Sequence, residues 1–278
     1  MRIREKIASV LALLFFAVIY TFFCWPMVCA VRFAGWLTRE KESFIRPQVA
    51  WCAHWWGNLT LSVARAVLRI KVVVTLEGDR NLLYERPCIV ISNHQSTLDV
   101  AVMTLVMKVI DKLNSRWILK EELRDGSFVV GWIAQRTGCA FVSRRGDPKD
   151  TQEVVRCARV LREDDAAVVF FPEGTRFSAE KKTDAYNHLL PPKTRGFNMF
   201  REELSDPPVA SVTLHWNPSI TTGKKGRTLF QAGDFYGKTL HVDIRIASSE
   251  EIRADPNWLV TEWERKERAL AEYHRVHS

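Results

Sequence analysis

The sequence predicts an α/β fold: a mixed sheet flanked by helices on both faces, with an N-terminal helical membrane-anchoring segment before it. From Arg69 onward, short runs rich in Val, Ile and Phe alternate with amphipathic segments, which is typical of a sheet covered on both sides. Before that point, residues 7–31 carry no charge. We therefore expect two parts: an anchor with interfacial helices over 1–69 and a folded domain over 70–278.

The composition indicates a folded protein with an anionic partner. Hydrophobic residues make up 47% and charged residues 26% of the 278 residues, which excludes an intrinsically disordered chain. The net charge of +8 suits nucleic acid, a membrane surface or a phosphorylated substrate. The ten Trp and fifteen Phe favour the membrane, because aromatic residues such as Trp concentrate at its interface with water. We expect a membrane partner and no nucleic acid.

The uncharged stretch at 7–31 is the predicted anchor. As a helix it is long enough to cross the roughly 30 Å apolar core of a bilayer, and no small-residue cleavage site follows it. Basic residues lie on both sides of it, so the positive-inside rule gives no orientation. A single span and a hairpin bent at Pro26 both fit. We favour the hairpin, because Arg2, Arg4 and Lys6 resist translocation.

A second N-terminal helix is expected over 48–68. It places Trp51, Trp55 and Trp56 at helical spacing, which is typical of a helix that lies in the membrane interface. The alternative is an ordinary amphipathic helix packed on the domain.

The rest of the chain alternates predicted strands and helices. Apolar and β-branched runs predict strands at 70–76, 87–92, 116–119, 140–143, 167–172, 209–216 and 240–247. Helical periodicity predicts helices at 98–110, 121–137, 151–164, 195–204 and 256–274. Asp255 and Pro256 would cap and open the last of these.

The segment 93–99 places a histidine on the turn between a buried strand and a helix. Ligands of open α/β sheets bind at this end of the strands. His94 therefore suits a general base, and Asp99 can fix its tautomer and stabilise the imidazolium. The substrate would then supply the hydroxyl group that reacts. The alternative is that Ser96 and Asp99 form a capping box, which would make Asp99 structural and His94 a surface residue.

A second candidate site is the turn Pro-Glu-Gly-Thr-Arg at 172–176, which ends a predicted strand. Gly174 lets the backbone approach a ligand closely. Its backbone N–H groups and the Arg176 guanidinium suit an oxyanion or a phosphate. The alternative is an ordinary glycine turn with a surface arginine.

Further basic residues follow other predicted strands. Arg144 and Arg145 come after the short strand at 140–143 and can bind a dianionic phosphate, although a solvated pair is the alternative. Lys193 and Arg195 add positive charge farther along.

The six cysteines show neither C-x-x-C pairing nor metal-ligand spacing. They lie in apolar segments, which indicates reduced thiols in the core of a protein that faces the cytoplasm. We expect neither a metal site nor a cofactor.

Three motifs in order give a resemblance to a known family. The sequence reads Asn-His-Gln-Ser-x-x-Asp at 93–99, Phe-Val-x-Arg at 141–144 and Phe-Pro-Glu-Gly-Thr-Arg at 171–176. It resembles the glycerolipid acyltransferase superfamily, which includes the 1-acylglycerol-3-phosphate acyltransferases. The likeness covers about residues 69–216, so the domain over 70–278 is expected to be an acyltransferase domain. The long stretch 173–196 looks like the branch that acts on lysophosphatidate and other lysophospholipids.

The resemblance implies a reaction and roles for the matching residues. His94 would be the general base and Asp99 its partner. The phosphate and glycerol site would be formed by Arg144, Glu173, Gly174, Thr175 and Arg176. An acyl chain would pass from acyl-CoA or acyl carrier protein to the free hydroxyl of 1-acylglycerol 3-phosphate, giving phosphatidate without an acyl-enzyme. Because thioester donors are cytoplasmic, the active site is expected to face the cytoplasm from a membrane.

Two alternatives to this function remain open. The acceptor could be another lysophospholipid, or a lipid of the lyso-ornithine type. The chain could instead be a non-catalytic membrane protein that binds lipids through Arg144 and Arg176. The family's fourth motif is also incomplete: Pro208 is kept, and Ser211 stands where a second proline is usual, which bears on the acyl-chain preference.

Overall fold

A seven-stranded mixed sheet forms the centre of the fold, with the strand order β1-β7-β6-β2-β5-β3-β4. Its strands are β1 (Lys71–Glu77), β2 (Cys88–Ser92), β3 (Ser115–Lys120), β4 (Ala140–Val142), β5 (Ala167–Phe170), β6 (Val209–Asn217) and β7 (Thr239–Ala247). Neighbouring strands are parallel except β6 and β7, which are antiparallel. The predicted mixed sheet is confirmed.

The structure is a computed structural model. It describes isolated positions between 7 and 23 and residues 25–39, 42–84, 87–126, 128–143, 147–220 and 234–277. Its α-helices are α1 (Trp25–Thr38), α2 (Glu42–Leu68), α3 (Asp99–Val109), α4 (Leu123–Gly126), α5 (Phe128–Arg136), α6 (Pro148–Asp164), α7 (Thr194–Glu203), α8 (Ser249–Ala254) and α9 (Trp258–His277).

Two buried clusters lie on opposite faces of the sheet, because successive residues of a strand point to opposite sides. On one face, α2 and α3 cover alternate strand residues such as Val90 and Val212. On the other face, α6, α7 and α9 cover the intervening residues, such as Ile89 and Val168. Burial on both sides explains the continuous apolar runs of β2, β5 and β6. The predicted helices on both faces are confirmed.

Several predicted helices differ from the structure in their bounds: α2 begins at Glu42 and not at 48, and α6 begins at Pro148 and not at 151. The stretch 121–137 forms two helices, because α4 ends at Gly126 and its backbone folds against α5. A Cβ atom on Gly131 would lie 2.1 Å from the carbonyl oxygen of Arg124, so this approach requires glycine. The C-terminal helix begins at Trp258, two residues after the predicted start, and the Asp255 carboxylate accepts a hydrogen bond from the Asn257 N–H at 2.8 Å, the contact expected of the predicted capping residue.

The described N-terminal helices test the predicted membrane anchor only in part. Much of 7–31 lies outside the described residues, so the anchor and its bend stay predictions. Among the described parts of the chain, no helix combines the length and apolar character needed to cross a bilayer. The packed interpretation of the 48–68 helix is confirmed for one face of α2, and the membrane-interface interpretation of the other face stays a prediction. Leu61 and Leu68 belong to the core, whereas Trp51 is 56% exposed and Trp55 is 38% exposed.

Candidate active site

The order of the strands brings the two predicted turns together. Strands β2 and β5 are parallel neighbours, with Ile91 paired to Phe170. The chain therefore leaves both strands at the same edge of the sheet, into segments 93–98 and 171–176. This edge is where parallel α/β sheets bind ligands. Both predicted sites thus form one site.

His94 and Asp99 are paired as predicted. Nδ1 of His94 lies 2.9 Å from Oδ2 of Asp99. The Asp99 side chain is 1% exposed and that of His94 is 18% exposed, so only the imidazole reaches the surface. Hydrogen bonding to a carboxylate favours the tautomer that carries its proton on Nδ1, and Nε2 is then the basic nitrogen.

The capping alternative for Asp99 is also partly correct. Its carboxylate accepts hydrogen bonds from the N–H groups of Gln95 at 2.6 Å and Ser96 at 2.8 Å. The Ser96 hydroxyl donates to Oδ1 at 2.7 Å, whereas a capping box would direct this oxygen to the Asp99 N–H. Asp99 therefore holds the turn and the imidazole with the same carboxylate.

The turn after β5 contacts the His94 residue on its ring and on its backbone. Phe171 stacks on the imidazole, with ring centroids 4.1 Å apart and planes inclined by 17°. The His94 N–H donates to Oε2 of Glu173 at 3.2 Å, and the Phe177 N–H donates to the His94 carbonyl at 2.7 Å. These contacts fix the position of the predicted base against the second turn.

Asn93 ties the His94 turn to β6. Its side-chain amide donates to the Leu214 carbonyl at 2.9 Å and accepts from the Leu214 N–H at 2.8 Å. The amide thus continues the pairing of β2 with β6 by one residue beyond the strand. The first motif contains Asn93, but no role was predicted for it.

Glu173 lies behind the turn. It is 3% exposed, and its Oε1 accepts a hydrogen bond from the Leu190 N–H at 3.4 Å. Burial raises the pKa of Glu173 to about 8, although the two backbone donors and Lys266 act in the opposite direction. Its carboxylate holds backbone groups in this structure, and its contact with substrate stays a prediction.

Cationic side chains surround the turn at 174–176. Gly174 has φ +69°, and a Cβ atom on it would lie 3.2 Å from Nζ of Lys193. The Lys181 ammonium donates to the Thr175 hydroxyl at 3.1 Å. Arg176 donates to the Thr97 hydroxyl at 2.7 Å, directly before α3. This arrangement suits a phosphate.

Arg144 lies outside the described residues, so its place in the site stays a prediction.

Sequence reasoning missed three contributors to this region. Phe171 belongs to the third motif but was not assigned to the imidazole. Lys181 lies in a polar loop that gave no signal. Lys266 is fully buried, and the sequence could have indicated this. It lies at helical spacing with Leu259, Trp263 and Leu270, on the face of the helix where an apolar residue is usual.

The Cys139 thiol and the Ser96 hydroxyl do not suit a nucleophile. Burial raises the pKa of the Cys139 thiol, and the Ser96 hydroxyl is hydrogen-bonded to Asp99. Cys52, Cys88 and Cys157 are likewise buried free thiols, which confirms the core thiols predicted at these positions. Cys29 is free but only half-buried, so the prediction of a core thiol is wrong there, and Cys24 lies outside the described residues.

Comparison with known proteins gives a family match and two curated relatives. Residues 73–244 match the family model described as Acyltransferase. A lyso-ornithine lipid O-acyltransferase of Rhodobacter capsulatus is 28% identical over 134 residues, which is 47% of this chain and 43% of that protein. A chloroplastic 1-acyl-sn-glycerol-3-phosphate acyltransferase of Arabidopsis thaliana is 32% identical over 107 residues, which is 37% of this chain and 27% of that protein. The chain thus matches less than half the length of either relative.

A solved structure shares the fold. The 1-acyl-sn-glycerophosphate (LPA) acyltransferase PlsC of Thermotoga maritima superposes with a TM-score of 0.60 and 22% identity, over 95% of this chain and 98% of that one. At this level of sequence identity the superposition shows a shared fold only.

Proposed function

The chain belongs to the acyltransferase family, and from this premise we propose that it transfers an acyl chain from a thioester donor to the free hydroxyl of 1-acylglycerol 3-phosphate. The family to which the three motifs pointed is thereby confirmed. The observation that carries the proposal is the hydrogen bond between His94 and Asp99 beside a turn bordered by cationic side chains. A base and an anion-binding turn at one sheet edge suit an acceptor with a hydroxyl group near a phosphate.

The proposed chemistry uses His94 as a general base. Nε2 removes the proton from the acceptor hydroxyl while that oxygen attacks the thioester carbonyl. The tetrahedral oxyanion collapses, the carbon–sulfur bond breaks, and the leaving thiolate takes the proton from the imidazolium. Asp99 stabilises the imidazolium that exists between these two steps. Acyl-CoA and acyl carrier protein are the proposed donors, and the products are phosphatidate and the free thiol.

The acceptor is proposed from the basic turn. Arg176 and Lys181 hydrogen-bond hydroxyl groups at its edge, and Lys193 lies over Gly174. Charge-assisted hydrogen bonds to phosphate are among the strongest polar contacts in proteins. The phosphate of lysophosphatidate would bind here, with the free hydroxyl on the side of His94.

A second acceptor is favoured by one comparison. The relative from Rhodobacter capsulatus is, by its name, an acyltransferase for lyso-ornithine lipid. The same cationic side chains also suit the carboxylate of an amino-acid head group. A lysolipid of this class is therefore the second candidate acceptor.

One assay tests both acceptors. Purified protein is given acyl-CoA or acylated carrier protein with lysophosphatidate, alone and in competition with other lysolipids, and the products are identified. We expect phosphatidate as the main product. A clear preference for an amino-acid or zwitterionic head group favours the second acceptor. No acylated product from any lysolipid would refute the proposed activity.

We also propose that the N-terminal helices contact a membrane and that the active site faces the cytoplasm. Large apolar side chains are exposed on α1, including Phe33 and Trp36, and on α2, including Trp51 and Trp55. Such a surface is typical of an interfacial helix pair, and a lipid acceptor must reach the site from a bilayer. Vesicle flotation with and without Trp36→Ser and Trp51→Ser tests this; equal binding by all forms would contradict it.

A further inference from the structure

Helix α9 follows the segment that matches the family model, which ends at residue 244, yet it contacts the segment 187–190, which is hydrogen-bonded to Glu173. Its Glu267 carboxylate accepts hydrogen bonds from three successive backbone groups: Asn187 N–H at 2.7 Å, His188 N–H at 3.0 and 3.1 Å, and Leu189 N–H at 3.0 Å. Successive N–H groups that converge on one anion form a nest, which fixes the local backbone. Glu267 therefore holds the segment 187–189 against α9.

The hydrogen bonds continue from this segment to the catalytic turn. The Trp263 indole of α9 donates to the Leu190 carbonyl at 3.0 Å. The Leu190 N–H donates to one oxygen of Glu173, and the His94 N–H donates to the other. Glu173 thus joins the backbone that α9 fixes to the backbone of the proposed base. Moving 187–190 would move the acceptor of the His94 N–H.

A buried cation on α9 lies beneath the same turn. Lys266 is fully buried and donates to the Val212 carbonyl of β6 at 2.7 Å. Val212 pairs with Ser92, which precedes the His94 turn. The Lys266 ammonium also lies 4.4 Å from the centre of the Trp263 ring. Burying a charge is costly unless it is compensated, so these contacts explain how this lysine is accommodated below the sheet edge.

The charges that face this lysine come from several elements. Glu262, on α9, is buried and paired with Arg245 of β7 and Arg265 of α9. Burial lowers the pKa of Lys266 to about 7, while Glu262 and Glu173 raise it and Arg265 lowers it. In return Lys266 lowers the pKa of Glu173, and Asp99 raises it. Lys266 thus favours the ionised form of Glu173, which is the stronger acceptor for the His94 N–H.

We propose that Glu267 and Lys266 are positioning residues of the active site: Glu267 acts on His94 through the segment 187–190 and Glu173, and Lys266 acts through Val212 and the paired Ser92. Neither residue needs to touch the substrate. The inference rests on the proposed function for its kinetic consequences, and on the hydrogen bonds alone for its structural ones.

Glu267→Gln tests the first part, with Glu264→Gln as the matched control, because Glu264 is an exposed carboxylate on the same helix. The glutamine side chain has an NH2 group in place of one carboxylate oxygen, and this group cannot accept hydrogen bonds from the N–H groups of 187–189. We expect kcat to fall roughly tenfold in Glu267→Gln, with the KM for the thioester unchanged, because a displaced catalytic group slows the chemical step. Glu264→Gln should retain full activity. Unchanged kcat in Glu267→Gln would overturn the role of Glu267.

Amide hydrogen exchange supplies a measurement that needs no substrate. In Glu267→Gln the amides of 187–190 and those of 93–96 should exchange faster than in the unaltered protein, because the second segment is held through the first. Faster exchange confined to 187–190 would show that α9 does not reach the His94 turn and would overturn the proposal. This holds whichever acceptor the enzyme uses, so its outcome is distinct from that of the activity assay.

Lys266→Met tests the second part, because methionine is unbranched, nearly as long as lysine and uncharged. The hydrogen bond to the Val212 carbonyl is lost, and Val212 pairs with Ser92, so the amides of 92–96 should exchange faster and kcat should fall with the KM for the thioester unchanged. A lysine that only stabilises the fold would lower the free energy of unfolding and leave kcat unchanged. Unchanged kcat in folded Lys266→Met, shown by unchanged circular dichroism, would overturn the role of Lys266. If this variant does not fold, the Glu267→Gln results decide the proposal.

Discussion

The imidazole of His94 stacks on the ring of Phe171, with the ring centroids 4.1 Å apart. The two residues follow different strands, and the stack forms because β2 and β5 are parallel neighbours that end at the same edge. Asp99 holds Nδ1 of the same ring at 2.9 Å. The ring is therefore fixed on one face and at one nitrogen, while Nε2 is left as the basic atom. This orientation is the basis of the first two predictions.

His94→Ala should lower turnover by at least about 100-fold, the usual effect of losing a general base. The circular dichroism spectrum and the affinity for lysophosphatidate should change little, because the variant loses only the group that transfers the proton. Turnover is measured with acyl-CoA and lysophosphatidate. Equal turnover in His94→Ala and the unaltered protein would exclude His94 as the base. Lipid binding by both forms with turnover by neither would favour the non-catalytic alternative.

Asp99→Asn should lower turnover, because asparagine presents the imidazole with a weaker acceptor or with an N–H donor. A purely capping role would cost at most about 1 kcal/mol and spare turnover, since asparagine also caps helices. Asp147→Asn is the matched control, because Asp147 caps α6 through the Lys149 N–H at 2.8 Å. We measure kcat and urea unfolding for both variants. Full activity with reduced stability in Asp99→Asn would leave Asp99 a capping residue only.

Arg176→Ala should chiefly raise the KM for the phosphorylated acceptor. The variant removes a charge-assisted contact worth roughly 1.5–3 kcal/mol, which corresponds to a change of roughly tenfold to a hundredfold. The KM for the thioester should change less, and Arg144→Ala should behave in the same way. Arg268→Ala, an exposed arginine on α9, serves as the control. Equal effects on both substrates, or no effect on either, would contradict a phosphate site at these residues.

The stability of the protein should depend on pH through Glu173. Burial raises the pKa of Glu173 from its ordinary value of 4.5 to about 8. Between these values the folded protein binds more protons at this group than the unfolded chain does, so the contribution of Glu173 to stability falls as pH rises. Glu173→Gln carries no such ionisation. Its free energy of unfolding relative to the unaltered protein should therefore increase from about pH 5 to about pH 8.

Urea unfolding of the two proteins at intervals across this range measures the difference. If the two free energies of unfolding ran parallel with pH, the pKa of Glu173 would not be raised by its burial.

The N-terminus should lie on the cytoplasmic side if residues 7–31 form the proposed hairpin. Arg2, Arg4 and Lys6 oppose translocation, and the exposed Trp51 and Trp55 offer a second contact with the same leaflet. A tag at Met1 should be inaccessible to a membrane-impermeant reagent in intact cells and accessible after permeabilisation. Labelling of intact cells would show a single span with Met1 outside.

The sequence alone was sufficient for the alternation of strands and helices and for placing residues 93–99 and 171–176 directly after strands. Strands buried on both faces must be apolar along their whole length, so their runs are visible without a structure. The pairing of His94 with Asp99 was also predictable, because only a strand-to-helix turn separates them. Ser96 is equally close in sequence, which is why a capping box with Asp99 was an alternative. In the structure the Ser96 N–H and hydroxyl both donate to the carboxylate that holds His94.

Tertiary structure decided the contacts between segments that are distant in the chain. The stack of Phe171 on His94, the hydrogen bond from Arg176 to Thr97 and the attachment of Glu267 to residues 187–189 follow from which strands are neighbours and from how α9 packs. Lys266 shows the physical reason most clearly. A lysine on a helix is ordinarily solvated, and its burial becomes favourable only when the Val212 carbonyl and the Trp263 ring are brought to it. Those partners exist at that place only in the folded chain.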